Sequence, residues 1–151
     1  MIRVIGLGSP WGDDQAGWRA AESLRGMFDE EYVEIKLLDC PGPSLLEHWR
    51  AEDSVLLLDA VYSKSEVGLI YNLEGDDIIY YTAPSLSSHG FGLAEAVALA
   101  TGLDALPQRL CLLGLEIGDP HNTMALSPQA EGSIAKLTKA AHDKIRGWLS
   151  E

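Results

Sequence analysis

Residues 54–58, Ser-Val-Leu-Leu-Leu, are almost wholly apolar and run directly into Asp59. A strand with no polar face has to be covered on both sides, which is the situation of a central strand in a parallel sheet. The rest of the chain supplies the covering. Apolar runs of strand length at residues 2–7, 33–38 and 109–115 alternate with helical patterns. In the first pattern Trp18, Ala21, Leu24 and Phe28 share a face, with Asp13 or Asp14 as the cap. Pro41-Gly42-Pro43 breaks the chain before a short helix carrying Leu45, Leu46 and Trp49, and residues 89–101 turn helical through Leu93, Val97 and Ala100. Ser127 and Pro128 have the residue types of an N-cap and a first helical position. Beyond them Ile134, Leu137, Ala141, Ile145 and Trp148 form one inward stripe. Residues 69–73 follow Asp59 too closely for a helical crossover, so that strand is expected to be antiparallel or at an edge. The expectation is an α/β fold: a single-domain, three-layer sandwich over residues 1–151, with a mostly parallel twisted sheet of about five strands flanked by helices on both faces.

Charge narrows the partners. Lys and Arg number 11 against 23 Asp and Glu, a net charge of −12 spread along the chain. Such a surface repels phosphate backbones and anionic lipid, so neither nucleic acid nor membrane is expected as a partner. Cys40 and Cys111 are too few and too far apart for a disulfide framework or a four-thiolate zinc site. Residues 1–6 lack the basic start and longer apolar stretch of a signal peptide, and no apolar run reaches the ~18–20 residues of a membrane span. A cytoplasmic protein is expected.

In open α/β sheets functional groups collect beyond the carboxyl ends of the strands. The polar segments that fall there are Asp13-Asp14 after the first strand, Asp39-Cys40 after the second, Asp59 at the end of the third and Ser88-His89 at the start of a helix; Glu116 follows the last strand. Singly, each has a plain explanation as a cap, a strand terminator or a first-turn residue. Jointly, two carboxylates and an imidazole make an N,O donor set for a divalent transition metal with coordination positions left open. Gly6, Gly8 and Gly12 give GxGxxxG rather than the dinucleotide fingerprint GxGxxG, and Asp13 and Asp14 would confront a pyrophosphate with negative charge. These glycines are expected to tighten the turn and admit a bound partner close to the backbone. Cys111, inside an apolar strand, reads as a core thiol, and Cys40 has no histidine beside it to activate it. Ser87-Ser88 lacks a GxSxG elbow. His48, His121 and His142 read as surface or loop residues, with His121 a candidate substrate contact.

Residues 6–17 (Gly-Leu-Gly-Ser-Pro-Trp-Gly-Asp-Asp-Gln-Ala-Gly), Leu57-Leu58-Asp59-Ala60, Ser88-His89-Gly90-Phe91-Gly92-Leu93, and Gly114-Leu115-Glu116 through Leu126-Ser127-Pro128 resemble, in order and spacing, the nickel-iron hydrogenase maturation endopeptidases. That resemblance implies removal of a C-terminal extension from the hydrogenase large-subunit precursor once nickel is in place. The trimmed tail then folds inward and closes the large subunit's active site. It also implies that the protease keeps no permanent metal. Nickel already bound in the precursor is the recognition element, contacted by residues that correspond to Asp14, Asp59 and His89. Other divalent metals are expected to occupy the same site in vitro. Gln15 stands where the family has a frequent glycine, and the stretch from Ser9 to the acidic pair is one residue shorter, so Asp13 remains an alternative to Asp14. Asp39-Cys40-Pro41-Gly42 replaces an Asp-Gly-Gly-Thr segment associated with substrate choice, which implies a different hydrogenase partner. Two competing functions are a noncatalytic binding module or chaperone for a metallated subunit, and a self-sufficient metal hydrolase. The second lacks an HExxH pair.

Overall fold

The computed structural model describes residues 1–39, 41–82, 92–118 and 125–151. Five strands, β1 (Ile2–Gly8), β2 (Val33–Asp39), β3 (Ser54–Val61), β4 (Ile70–Glu74) and β5 (Arg109–Glu116), form one sheet in the order β2-β1-β3-β5-β4. β1, β2, β3 and β5 are parallel, and β4 is an antiparallel edge on β5, as the short spacing after Asp59 requires. The helices are α1 (Ala16–Ser23), α2 (Asp77–Thr82), α3 (Leu93–Gly102) and α4 (Pro128–Leu149), with 3-10 helices at Gly12–Gln15 and Gly42–His48.

Every residue of β3 is buried, and the alternation of its side chains explains why no polar face survives. Leu56, Leu58 and Ala60 enter the core under α1 and α4, together with Ile134, Leu137, Ala141 and Ile145. Val55 and Leu57 enter the opposite core, with Leu45 and Trp49 of the 3-10 segment, Ile78 of α2 and Val97 of α3. The three-layer sandwich follows from one strand feeding two apolar layers.

Several expectations are corrected. α1 stops at Ser23, and Gly26, at φ +79°, carries the chain through a turn, so Phe28 reaches the core from outside the helix. The residue 42–48 segment is 3-10 rather than α, and α2 has no counterpart in the sequence pattern. β3 runs on to Val61, which puts Asp59 inside the strand rather than at its end. Gly6 of β1 and Gly17 of α1 serve helix packing. A Cβ on Gly17 would lie 2.3 Å from the Leu7 carbonyl oxygen and 2.4 Å from that of Leu58, and one on Gly6 would lie 2.7 Å from the Gly17 carbonyl oxygen. The backbone of α1 therefore rests directly on β1 and β3.

The far end of the sheet is tied by charge. Arg3 of β1 donates to the buried carboxylate of Asp53 and to Glu34 of β2, and the Arg50 N–H donates to Asp53 at 2.7 Å. Burial pushes the Asp53 carboxyl up, but the Arg3 guanidinium and the Arg50 amide outweigh it and hold it below its usual 3.8.

Candidate active site

The chain leaving β1 goes to β2 on one side and the chain leaving β3 goes to β4 and β5 on the other, so the carboxyl ends of β1 and β3 flank a topological switch point. The loop after β1 turns at Gly12, whose φ of +50° suits glycine, and then enters the 3-10 turn carrying Asp13 and Asp14. Asp14 is 4% exposed. Its N–H donates to the Trp11 carbonyl at 3.0 Å, its carbonyl accepts from the Ser9 N–H at 3.3 Å, and its carboxylate accepts from the Ser9 hydroxyl. The turn packs against β3, where Asp59 is 3% exposed and accepts the Ala60 N–H at 2.8 Å. Gly17, pressed on the Leu58 carbonyl, places the start of α1 over the residue just before Asp59. Two buried carboxylates thus lie on neighbouring elements, one on the turn after β1 and one on the central strand it packs against.

Asp13 has different partners. Its Oδ1 accepts the Ser127 N–H at 2.7 Å and its Oδ2 accepts the Ser127 hydroxyl at 2.8 Å. Ser127 caps α4 as expected, accepting the Ala130 N–H at 3.1 Å. Neither aspartate caps α1: the residue before that helix is Gln15, with no side-chain cap. Sequence reading missed the Asp13–Ser127 link because nothing local marks a pair 114 positions apart.

Glu116 is the last residue of β5 rather than the residue after it, and it is fully buried. It accepts the Ser63 N–H at 2.9 Å, the Ser63 hydroxyl and the Tyr71 hydroxyl at 2.8 Å, pinning the β3–β4 connection to β5. Burial, together with the Glu116 carboxylate, raises the Tyr71 phenol above 10.0. Cys111 is a core thiol, as expected, pushed up to about 11 by burial. Asp39 is exposed at the end of β2, beside Gly8 in register. His48 and His142 are half-buried, the latter with its ring 5.1 Å from that of Phe28. His89, Ser88, Cys40 and His121 lie outside the described residues. Among the described residues no three His, Cys, Asp or Glu side chains are grouped to hold a metal, and no helix is long and apolar enough to cross a membrane.

The fold is a switch-point α/β domain with buried carboxylates on the turn after β1 and on β3. A family model for HycI, hydrogenase maturation protease, matches residues 18–144, and the chain belongs to the hydrogenase maturation protease family. It is similar to the hydrogenase expression/formation protein HupD of Rhizobium leguminosarum bv. viciae, with 27% identity over 152 residues, 97% of this chain and 75% of that protein. It is also similar to the hydrogenase 2 maturation protease of Escherichia coli K12, with 29% identity over 138 residues, 88% of this chain and 83% of that one. The hydrogenase maturating endopeptidase HybD from E. coli has the same fold, with a TM-score of 0.79 at 25% identity over 97% of this chain and 92% of that one. The family match begins at Trp18, past the loop that carries Asp14, so the role of that loop rests on its own residues.

Proposed function

We propose that this endopeptidase removes the C-terminal extension of a nickel-iron hydrogenase large-subunit precursor in the cytoplasm after nickel insertion, and that Asp14, Asp59 and His89 grip the precursor's nickel. The observation that supports the reading is that Asp14, on the turn after β1, and Asp59, on β3, are both buried where that turn packs against the strand. Carboxylate and imidazole suit a divalent nickel ion, and a pair of carboxylates with a single imidazole is a weak holder on its own. Such a site closes only on a metal that arrives with its own thiolates, which makes cleavage conditional on correct metallation. The chain retains no metal between turnovers.

Hydrolysis breaks one amide C–N bond. Water supplies the hydroxyl to the new carboxyl group and the proton to the leaving amine. A cation beside the scissile carbonyl polarises it. Asp14 and Asp59, held by Ser9 and by the Ala60 amide, fix where that cation, and hence the peptide, sits. The trimmed tail then closes the large subunit, so the protease acts as an activator of the hydrogenase.

The test is processing of the cognate precursor, loaded with nickel or nickel-free, followed by mass spectrometry. Nickel-loaded precursor is expected to be cut and nickel-free precursor spared. Asp14→Ala, Asp59→Ala and His89→Ala should each abolish cutting while circular dichroism stays native. Equal cutting of both precursors would end the nickel reading, and a folded variant that still cuts would remove its residue from the site.

A further inference from the structure

We infer that Asp13 is a positioning residue that holds Asp14 in place by clamping their shared loop to the N-terminus of α4 through Ser127. This rests on the assignment of Asp14 as a nickel contact and separates the roles of the two adjacent aspartates.

Asp13 is 6% exposed, and each of its carboxylate oxygens accepts a hydrogen bond from Ser127, at 2.7 and 2.8 Å. The Ser127 oxygen in turn accepts the Ala130 N–H, so a relay of donors runs from the first turn of α4 through the serine hydroxyl to the Asp13 carboxylate. Hydrogen bonds to a charged acceptor are the stronger kind, and an anion at a helix N-terminus also meets the positive end of the dipole. Asp13 would have to give up both bonds to turn toward a metal.

The anchor is firm. α4 spans Pro128–Leu149 and buries Ile134, Leu137, Ala141 and Ile145 against the sheet. Asp14 is the next residue along the chain, so fixing Asp13 fixes the peptide from which the Asp14 side chain departs. Contacts between Asp14 and residues 9–11 stabilise the loop only against itself, whereas the clamp registers it to the core. Misplacement by about 1 Å at a reacting centre costs on the order of 100-fold in rate.

The experiment compares Asp13→Asn, Asp13→Ala, Ser127→Ala and Asp14→Asn, each confirmed folded well below its melting temperature, in saturation kinetics on nickel-loaded precursor. Asparagine at 13 keeps the shape of the clamp, with its amide oxygen facing the Ser127 N–H and its amide nitrogen facing the Ser127 oxygen. Asp13→Asn is expected within about 5-fold of the parent. Asp13→Ala and Ser127→Ala should lose about 10- to 100-fold in kcat with a smaller change in KM, because Asp14 is displaced but still present to meet the nickel. Asp14→Asn should be inactive. As a readout independent of cleavage, paramagnetic Ni2+ added to the protease alone should broaden the amide resonances around residues 14 and 59 in the parent and in Asp13→Asn, but not in Asp14→Asn. Parental kcat in folded Asp13→Ala overturns the positioning role. So does Asp13→Asn as inactive as Asp14→Asn with its nickel broadening lost, which would make Asp13 itself a ligand. Full activity in Asp14→Asn instead overturns the nickel-contact assignment, whatever Asp13 does.

Discussion

Adding a methyl group at Gly17 tests how the crevice is built. An alanine Cβ there would lie 2.3 and 2.4 Å from two backbone oxygens, about an ångström short of ordinary contact, and both oxygens belong to sheet strands that cannot turn aside. Overpacking of this kind costs about 1–3 kcal/mol, sometimes more. Against it stands the helix preference of alanine over glycine, at most ~1 kcal/mol and smaller in the first turn, where Gly17 sits. The clash wins. Gly17→Ala should lose roughly 1–2 kcal/mol, which for a chain of this size lowers Tm by about 2–8 °C. Gly132 in α4 is the internal control, since a Cβ there meets nothing within 4 Å. Gly132→Ala should gain ~0.5–1 kcal/mol and raise Tm. Calorimetry or urea melts on the three proteins measure both. Because the 3-10 turn with Asp14 is joined to α1, Gly17→Ala should also slow precursor cleavage at temperatures where it remains folded. A Gly17→Ala protein as stable as the parent would refute the claim that α1 rests on the sheet backbone.

Asp53 makes stability acid-dependent. Its carboxyl is held below 3.8 in the fold, so its contribution is complete above that value and fades as pH falls through the lower folded value; Asp53→Asn should flatten the acid limb of a urea-stability profile, and an unchanged limb would exclude it. Tyr71 acts at the other extreme. With its phenol raised above 10.0, its contribution is complete below pH 10 and declines as pH rises beyond, and Tyr71→Phe should reduce that alkaline slope while costing about 1 kcal/mol at neutral pH for the lost hydrogen bond to Glu116. Cys111, buried and pushed up to about 11, should resist alkylation at pH 8 until the protein is unfolded by urea, and rapid native labelling at that position would contradict its burial. Cys40→Ser should process precursor at the parental rate, and a folded, precursor-binding but inactive variant would point to thiol chemistry instead.

Periodicity made the layers legible. β3, the stripe on α4 and the antiparallel edge at β4 are where apolar spacing and segment length place them, because each is determined by local pattern and by how far a short connection reaches. α2 was not legible. Its residues Asp-Ile-Ile-Tyr-Tyr-Thr are largely β-branched or aromatic and prefer strands, and tertiary packing of Ile78 against the α3 side overrides that preference. Gly12 turns the loop as its residue type suggests, whereas Gly6 makes room for a helix of the same chain, a contact that local spacing does not reveal. That Asp14 follows β1 and Asp59 rides on β3 was legible because apolar runs locate strands, although β3 extends two residues beyond Asp59. The engagement of Asp13 by Ser127 and of Glu116 by Ser63 and Tyr71 joins segments remote in sequence, and no spacing rule encodes those pairings.

The position of β3 in the sheet has a consequence for how this enzyme wears out. Asp59 is carried by an interior strand paired with β1 as far as Leu58 and with β5 as far as Val61, so the strand that bears it opens to deuterated solvent only with the core of the sheet. Warming short of global melting should therefore leave Asp59 in place, so that any earlier heat inactivation begins in the loop that carries Asp14.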